Sequence, residues 1–286
     1  MKKKILLGLL FTFLLGIGVV ACCDLMISRA SKARLYDDVL SVPHRKIGLI
    51  LGTSPDSTRN GRRNFDANVI SVSHIKTDYG DLLCLEPDMT GLKMDMVCGE
   101  IPSPEDSSII LAFAGAFTGT EFDKGHANVA GDHVAGGKRY KGYRCKRNTG
   151  AFTWSAASGP QFHYKDYSAA LDKAAQEEGM GFAQEMMIHD GKAVKTTRPL
   201  QNRNVFRALC LNSGNQLALY ESQGVVTFGN FIDALLSAGV KEALYTDMGE
   251  GWNYCFYRVN QSDKSPRYLH STPMPYASNF ITIKVI

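Results

Sequence analysis

From residue 68 the chain shows the two-residue alternation of strands, broken by turn residues at short intervals. "VISVSHIKTDYGDLLCLEPD" reads as two paired strands with a turn at Tyr79-Gly80-Asp81. "SIILAFAGAFTG" (108–119) is an unbroken apolar run of small and large residues, the pattern of a central strand. "AFTWSAASGPQFHYKD" predicts a hairpin over Ser158-Gly159-Pro160, and "EMMIHDGKAVKTT" predicts a second with Asp190-Gly191 at its tip. Between them, "DYSAALDKAAQEEG" (166–179) predicts a helix that ends at Gly179. Glu185 and His189 fall on the second hairpin, where packing or solvent explains them better than chemistry does.

The last third is the most regular. "VFRALCL" and "QLALYES" predict strands around Asn212-Ser213-Gly214-Asn215. Thr227 is placed to cap a helix whose Phe228, Phe231, Ile232, Leu235 and Leu236 share one face, with Gly239 as its stop. "EALYTD" is the strand that follows, ending on Asp247. Strands outnumber helices, so the expected class is α+β, with mixed or antiparallel sheets and a few helices.

The N-terminus follows a different pattern. "MKKK" precedes 19 uncharged residues, 5–23. At helical rise these extend about 28 Å, close to the thickness of a bilayer core. Lys2, Lys3 and Lys4 are expected to stay in the cytoplasm, which sends the following domain outside it. The expectation is an inner-membrane signal anchor over 1–23 carrying a periplasmic or otherwise extracytoplasmic domain; a lipoprotein signal at Cys22 is the alternative. Residues 24–67 read as a connector with one apolar strand, "IGLILGTS" (47–54), and 68–286 as the main domain. "LYDDVLSVPHRKIGLILGTSPDSTRNGRRN" resembles the start of the SanA-like (vancomycin high-temperature exclusion) envelope proteins. That resemblance covers about residues 1–65, and the rest of the SanA-like domain does not follow it.

Composition adds little to this. The net charge of +4 is too small to argue for nucleic acid. The seven cysteines form no C-x-x-C pair, and buried free thiols explain them best. The informative acid is Asp247, where an apolar strand stops and the chain turns through Met248-Gly249-Glu250-Gly251. Strand ends beside glycines suit catalysis because the backbone can approach a ligand there; an Asx turn is the plain alternative.

Two other segments carry candidate chemistry. "KRYKGYRCKR" (138–147), which ends on Arg147, reads either as a phosphate-binding strand or as a solvated basic edge. "GHANVAGDH" groups His126, Asn128, Asp132 and His133. These suit a sugar-binding polar loop better than a metal or His–Asp set, and no metal is assigned. Trp252, Tyr254, Phe256 and Tyr257 suit either sugar stacking or core packing.

Arg207, "LALYES", "VTFGNFIDALLSAGV" and Asp247-Met248-Gly249 together resemble the C-terminal half of the phosphodiester glycosidase family. "AFAGAFTG" stands where that family has an Asn-Gly-Gly-Phe motif. The resemblance spans about residues 68–286, with Ala114 in place of the motif's Asn and Met248 in place of a Gly. It implies hydrolysis of a sugar-1-phosphodiester of a glycan or polymer, with Asp247 and Glu250 as catalytic carboxylates. Arg207, Gly249 and Gly115 fall in the segments that carry the resemblance and are candidate substrate-binding residues; His126, Asn128, Asp132 and His133 of the polar loop and Arg147 of the basic stretch join them on their own chemistry, since their segment is not part of the family's pattern. The resemblance implies no cofactor, a sugar phosphate or cell-envelope glycan as partner, and no nucleic acid. A non-catalytic carbohydrate- or polymer-binding protein on the same fold, and a SanA-like envelope barrier protein, are the competing expectations.

Overall fold

Along Ala208-Leu209-Cys210, successive side chains go to opposite faces of a sheet, and both faces are buried. Leu209 joins a core with Leu85, Leu219 and Leu244, while Ala208 and Cys210 join a second core with Ala218, Ala243 and Tyr245. A sheet covered on both sides gives the apolar runs seen in the sequence. This is the seven-stranded sheet, with spatial order Ile70–Ile75, Leu82–Pro87, Leu217–Ser222, Arg207–Asn212, Val240–Tyr245, Met186–His189 and Lys192–Ala193.

The structure is a computed structural model and describes residues 68–119, 122–249, 253–271 and 279–286, all within one unit, Arg62–Ile286. The apolar segment 5–23 and the strand at 47–54 lie outside the described residues. Among the described residues no helix is long and apolar enough to cross a membrane.

Helix α1, Ser168–Gln176, buries Leu171 and Ala174 against Val134 of the strand His133–Ala135. Helix α2, Phe228–Ser237, covers one face of the first sheet with Phe228, Phe231, Ile232 and Leu235. The Thr227 hydroxyl accepts from Asn230 N at 3.1 Å, so the cap is formed by the residue the sequence indicates. Gly239 follows with φ 78°, a conformation glycine adopts without strain.

A second sheet has spatial order Arg267–His270, Cys255–Tyr257, Ile109–Ala114, Asn279–Val285 and Leu92–Cys98. Ile109–Ala114 is central in it and buried throughout. The third runs Lys138–Tyr140, His133–Ala135, Met180–Gln184, Gly150–Ser155 and Gly159–Tyr164. The strand pairs in these sheets are antiparallel, and the three sheets share one core through residues such as Leu209, Phe113 and Phe182. Both predicted hairpins form, but the first turns over 156–158, with Gly159 and Pro160 already paired in the returning strand opposite Ser155 and Trp154. Asp190 and Gly191 have φ 51° and 70°, the left-handed pair that a tight two-residue turn needs.

Candidate functional site

Asp247 sits where the ends of two sheets meet. Thr246 N donates to Arg207 O at 3.1 Å, extending the first sheet by one more bond. Asp247 N then donates to Gly115 O at 2.9 Å, just past the central strand of the second sheet. The Asn279 side chain pins that second chain end, accepting from Ala116 N at 2.8 Å and donating to Ala116 O at 3.0 Å. A Cβ on Gly115 would come within 2.9 Å of Ile281 and 3.1 Å of Asn279 Oδ1, so close approach of the backbone requires glycine there.

The Asp247 carboxylate accepts from Gly249 N at 3.0 Å, an Asx turn. The turn and a cleft role are compatible, because the turn orients the carboxylate that the cleft would use. Burial raises Asp247 from 3.8 to about 6, against the opposing pull of the Gly249 and Thr118 N–H groups and of Arg198.

Arg198 is a cation the sequence reading passed over. Its guanidinium lies 4.5 Å from the Tyr245 ring centroid, 5.2 Å from Phe228 and 5.9 Å from Phe206. Glu185 fixes the loop that carries it. Its Oε1 accepts from Thr197 N at 2.7 Å, Thr197 Oγ1 at 2.8 Å and Arg198 N at 2.9 Å. Glu185 Oε2 stands 3.7 Å from Arg198 Nε, an ion pair beyond hydrogen-bond length. Glu185 is fully buried, so of the two plain explanations packing holds and solvent does not. A charged residue inside the apolar run "FAQEMMI" was the available signal, since acids are rarely buried without a partner.

Arg207 lies in the neighbouring strand. Its guanidinium is fully buried and committed to Glu221, with Nε at 2.8 Å and Nη2 at 2.6 Å from Oε2. Nη2 also donates to Asn253 O at 3.1 Å, and His270 Nε2 lies 3.1 Å from Glu221 Oε1. The sequence expectation for Arg207 is phosphate binding from a strand; its guanidinium is engaged by Glu221 inside the fold. Several polar side-chain atoms are buried without a hydrogen-bond partner among the described residues, among them Thr246 Oγ1 beside Asp247, Arg207 Nη1 in the neighbouring strand, and Arg198 Nε and Glu185 Oε2. Such atoms are costly to bury, so those beside Asp247 and on Arg198 mark a polar environment there.

The structure divides the other candidates into two groups. Arg147 joins the Asp247 end: its guanidinium lies 5.8 Å from the Phe117 ring, which is itself 5.6 Å from Tyr245. Asn128 joins it too, its carbonyl accepting from Gly119 N at 2.7 Å. Gly249 belongs to the Asp247 turn. His126 and His133 form a separate cluster with Tyr140, and Asp132 pairs with Arg139 at 2.7 Å. Arg139 also binds Asp172 at 2.6 Å, so the strand Lys138–Tyr140 is an edge fixed by ion pairs. Glu250 and Trp252 lie outside the described residues. Tyr254 and Phe256 are core residues: Tyr254 packs edge-on against Phe256 and Phe280, and Phe256 lies tilted against Tyr268, so the two form no stacking platform.

The chain matches no family model and no curated protein. Among solved structures it is similar to the zebrafish N-acetylglucosamine-1-phosphodiester alpha-N-acetylglucosaminidase catalytic domain, auto-inhibited by its pro-peptide. That likeness has 14% identity and TM-score 0.49 and covers 77% of this chain and 84% of the other. A hypothetical protein from Synechocystis is similar at 11% identity and TM-score 0.47, over 76% of this chain and 62% of the other. Both are distant likenesses of fold.

Proposed function

We propose that the described domain is a hydrolase of phosphodiester-glycosidase type, acting on a sugar-1-phosphodiester with Asp247 as its working carboxylate. The observation that supports this is Asp247 itself: a buried acid at the junction of two sheets, raised to about 6, with glycine backbone and a caged arginine around it. The resemblance of its sequence block to the phosphodiester glycosidases points the same way. In this reaction a phosphate monoester leaves, which needs little protonation, so one carboxylate is enough. Water attacks the anomeric carbon, its proton passes to Asp247, and the carbon–oxygen bond to phosphate breaks with the electron pair leaving on phosphate. Arg198 and Arg147 supply the cations for the phosphate, in place of Arg207. The substrate is a sugar phosphate or envelope glycan, reached outside the cytoplasm by a chain anchored through 5–23.

A non-catalytic glycan-binding protein is the second reading. Ala114 favours it. Its methyl packs with Tyr254, Phe256 and Phe280, so the position that holds Asn in the family's motif offers no polar group here. Turnover of a panel of sugar-1-phosphodiesters by the full chain separates the two. Phosphate-monoester release that is lost in Asp247→Asn supports the hydrolase. Binding without turnover supports the alternative.

A further inference from the structure

Away from Asp247, three ligand-type side chains from three parts of the chain converge. Cys98 ends the edge strand Leu92–Cys98 of the second sheet, His126 lies in the 3-10 segment Phe122–Asn128, and His133 opens the strand His133–Ala135 of the third sheet. One ligand atom from each, a sulfur and two ring nitrogens, lies within 4.8 Å of the others. His126 Nδ1 and His133 Nε2 are 2.9 Å apart. We propose that Cys98, His126 and His133 bind a zinc ion, with the fourth position left to water.

The surroundings fit such a site. His133 is fully buried, and its Nδ1 lies 3.2 Å from Gly131 O. Donation to that carbonyl places the ring proton on Nδ1 and turns the Nε2 lone pair inward, the support that metal-bound histidines ordinarily have. Tyr140 stacks on His126 with ring centroids 3.4 Å apart and planes within 5°, which fixes the second imidazole. One thiolate and two imidazoles form the N/S set that zinc takes in tetrahedral geometry. Cys98 and His126 are partly exposed, which leaves a path for the ion. On binding, the Cys98 proton leaves to solvent and the His126 proton moves to its Nε2, so one proton is released per ion.

The ion would be a clamp. It ties the edge of the second sheet to a hairpin of the third and to the segment running back to Gly119, whose N–H bonds Asn128 O. Ala130 N in turn donates to Phe117 O at 2.8 Å, within the loop that meets Asp247.

The test uses the full chain, stripped with chelator and titrated with Zn²⁺ or Co²⁺ alone. One ion per chain is expected, and a thiolate-to-cobalt charge-transfer band in the Co²⁺ form. X-ray absorption of the zinc form should show one sulfur at about 2.3 Å and nitrogens at about 2.0–2.1 Å. Cys98→Ser should lose the band, and His126→Ala should lose at least about tenfold in affinity, the lower end of what even a supporting bond costs. In chelator, Cys98→Ser should melt with the parent, and only the parent should gain stability from zinc. Failure of the parent to bind, or binding and zinc stabilisation unchanged in Cys98→Ser, overturns the proposal.

Discussion

The backbone N–H of Asp247 bonds the carbonyl of Gly115 across 2.9 Å, joining a strand end of the first sheet to a strand end of the second. The carboxylate is therefore positioned by main chain from both sheets. Its placement depends on Gly115 having no side chain, since a Cβ there would press on Ile281 at 2.9 Å.

Gly115→Ala should displace that carbonyl and the Asp247 loop with it. The expected cost is about 1–3 kcal/mol, as for overpacking elsewhere, together with a fall in kcat/KM. Denaturant unfolding and turnover measured on the same preparation check this. Unchanged values in both would show that the junction tolerates a methyl and does not hold the carboxylate.

Arg198 lowers the Asp247 value that burial raises. The acid limb of kcat/KM should therefore lie near about 6 in the parent and move to higher pH in Arg198→Met, where the opposing charge is gone. Arg198→Lys should return part of the shift. A pH–rate profile checks this, and an acid limb that stays put in Arg198→Met removes Arg198 from the site.

Arg207 and Glu221 form a buried pair, and removing one partner strands the other. Arg207→Met should cost about 3–5 kcal/mol in unfolding free energy. Burial raises Glu221, but Arg207 and His270 outweigh it, so the folded value lies below the ordinary one. A depressed carboxylate contributes stability above its unfolded pKa and loses it as pH falls through its folded pKa. Glu221→Gln should therefore flatten that acid-side slope. A native-like Arg207→Met that had lost only phosphate affinity would contradict the structural role.

Much of this fold was legible because local chemistry and tertiary environment agreed. Thr227, the apolar stripe from Phe228 to Leu235 and Gly239 each act locally, and α2 forms between them as read. Asp190-Gly191 and the Asn212–Gln216 turn likewise needed no distant partner. The site was less legible. Asp247 announced itself at a strand end, but Arg198 and Glu185 lie some fifty or more residues earlier in the chain, and only folding brings them together with Tyr245. The pairing of Arg207 with Glu221 was not legible because Glu221 sits across a strand pair, where register decides contact. Cys98 escaped for the same reason, being far in sequence from His126 and His133 but adjacent in space.

The most direct test of the account is Asp247→Asn, followed by turnover and by melting at two pH values. Asp247 titrates near about 6 in the fold against 3.8 ordinarily. Between those values the folded chain keeps a proton that the unfolded chain has lost. Stability therefore falls as pH rises through that window and levels off above it, a cost on the order of 2–3 kcal/mol at neutral pH. An asparagine carries no charge to desolvate. The variant should lose hydrolysis of a sugar-1-phosphodiester yet melt at or above the parent at pH 7, with the advantage gone by about pH 4. A variant that melts well below the parent at pH 7, with turnover falling only as it unfolds, would make Asp247 a turn cap and contradict the assignment.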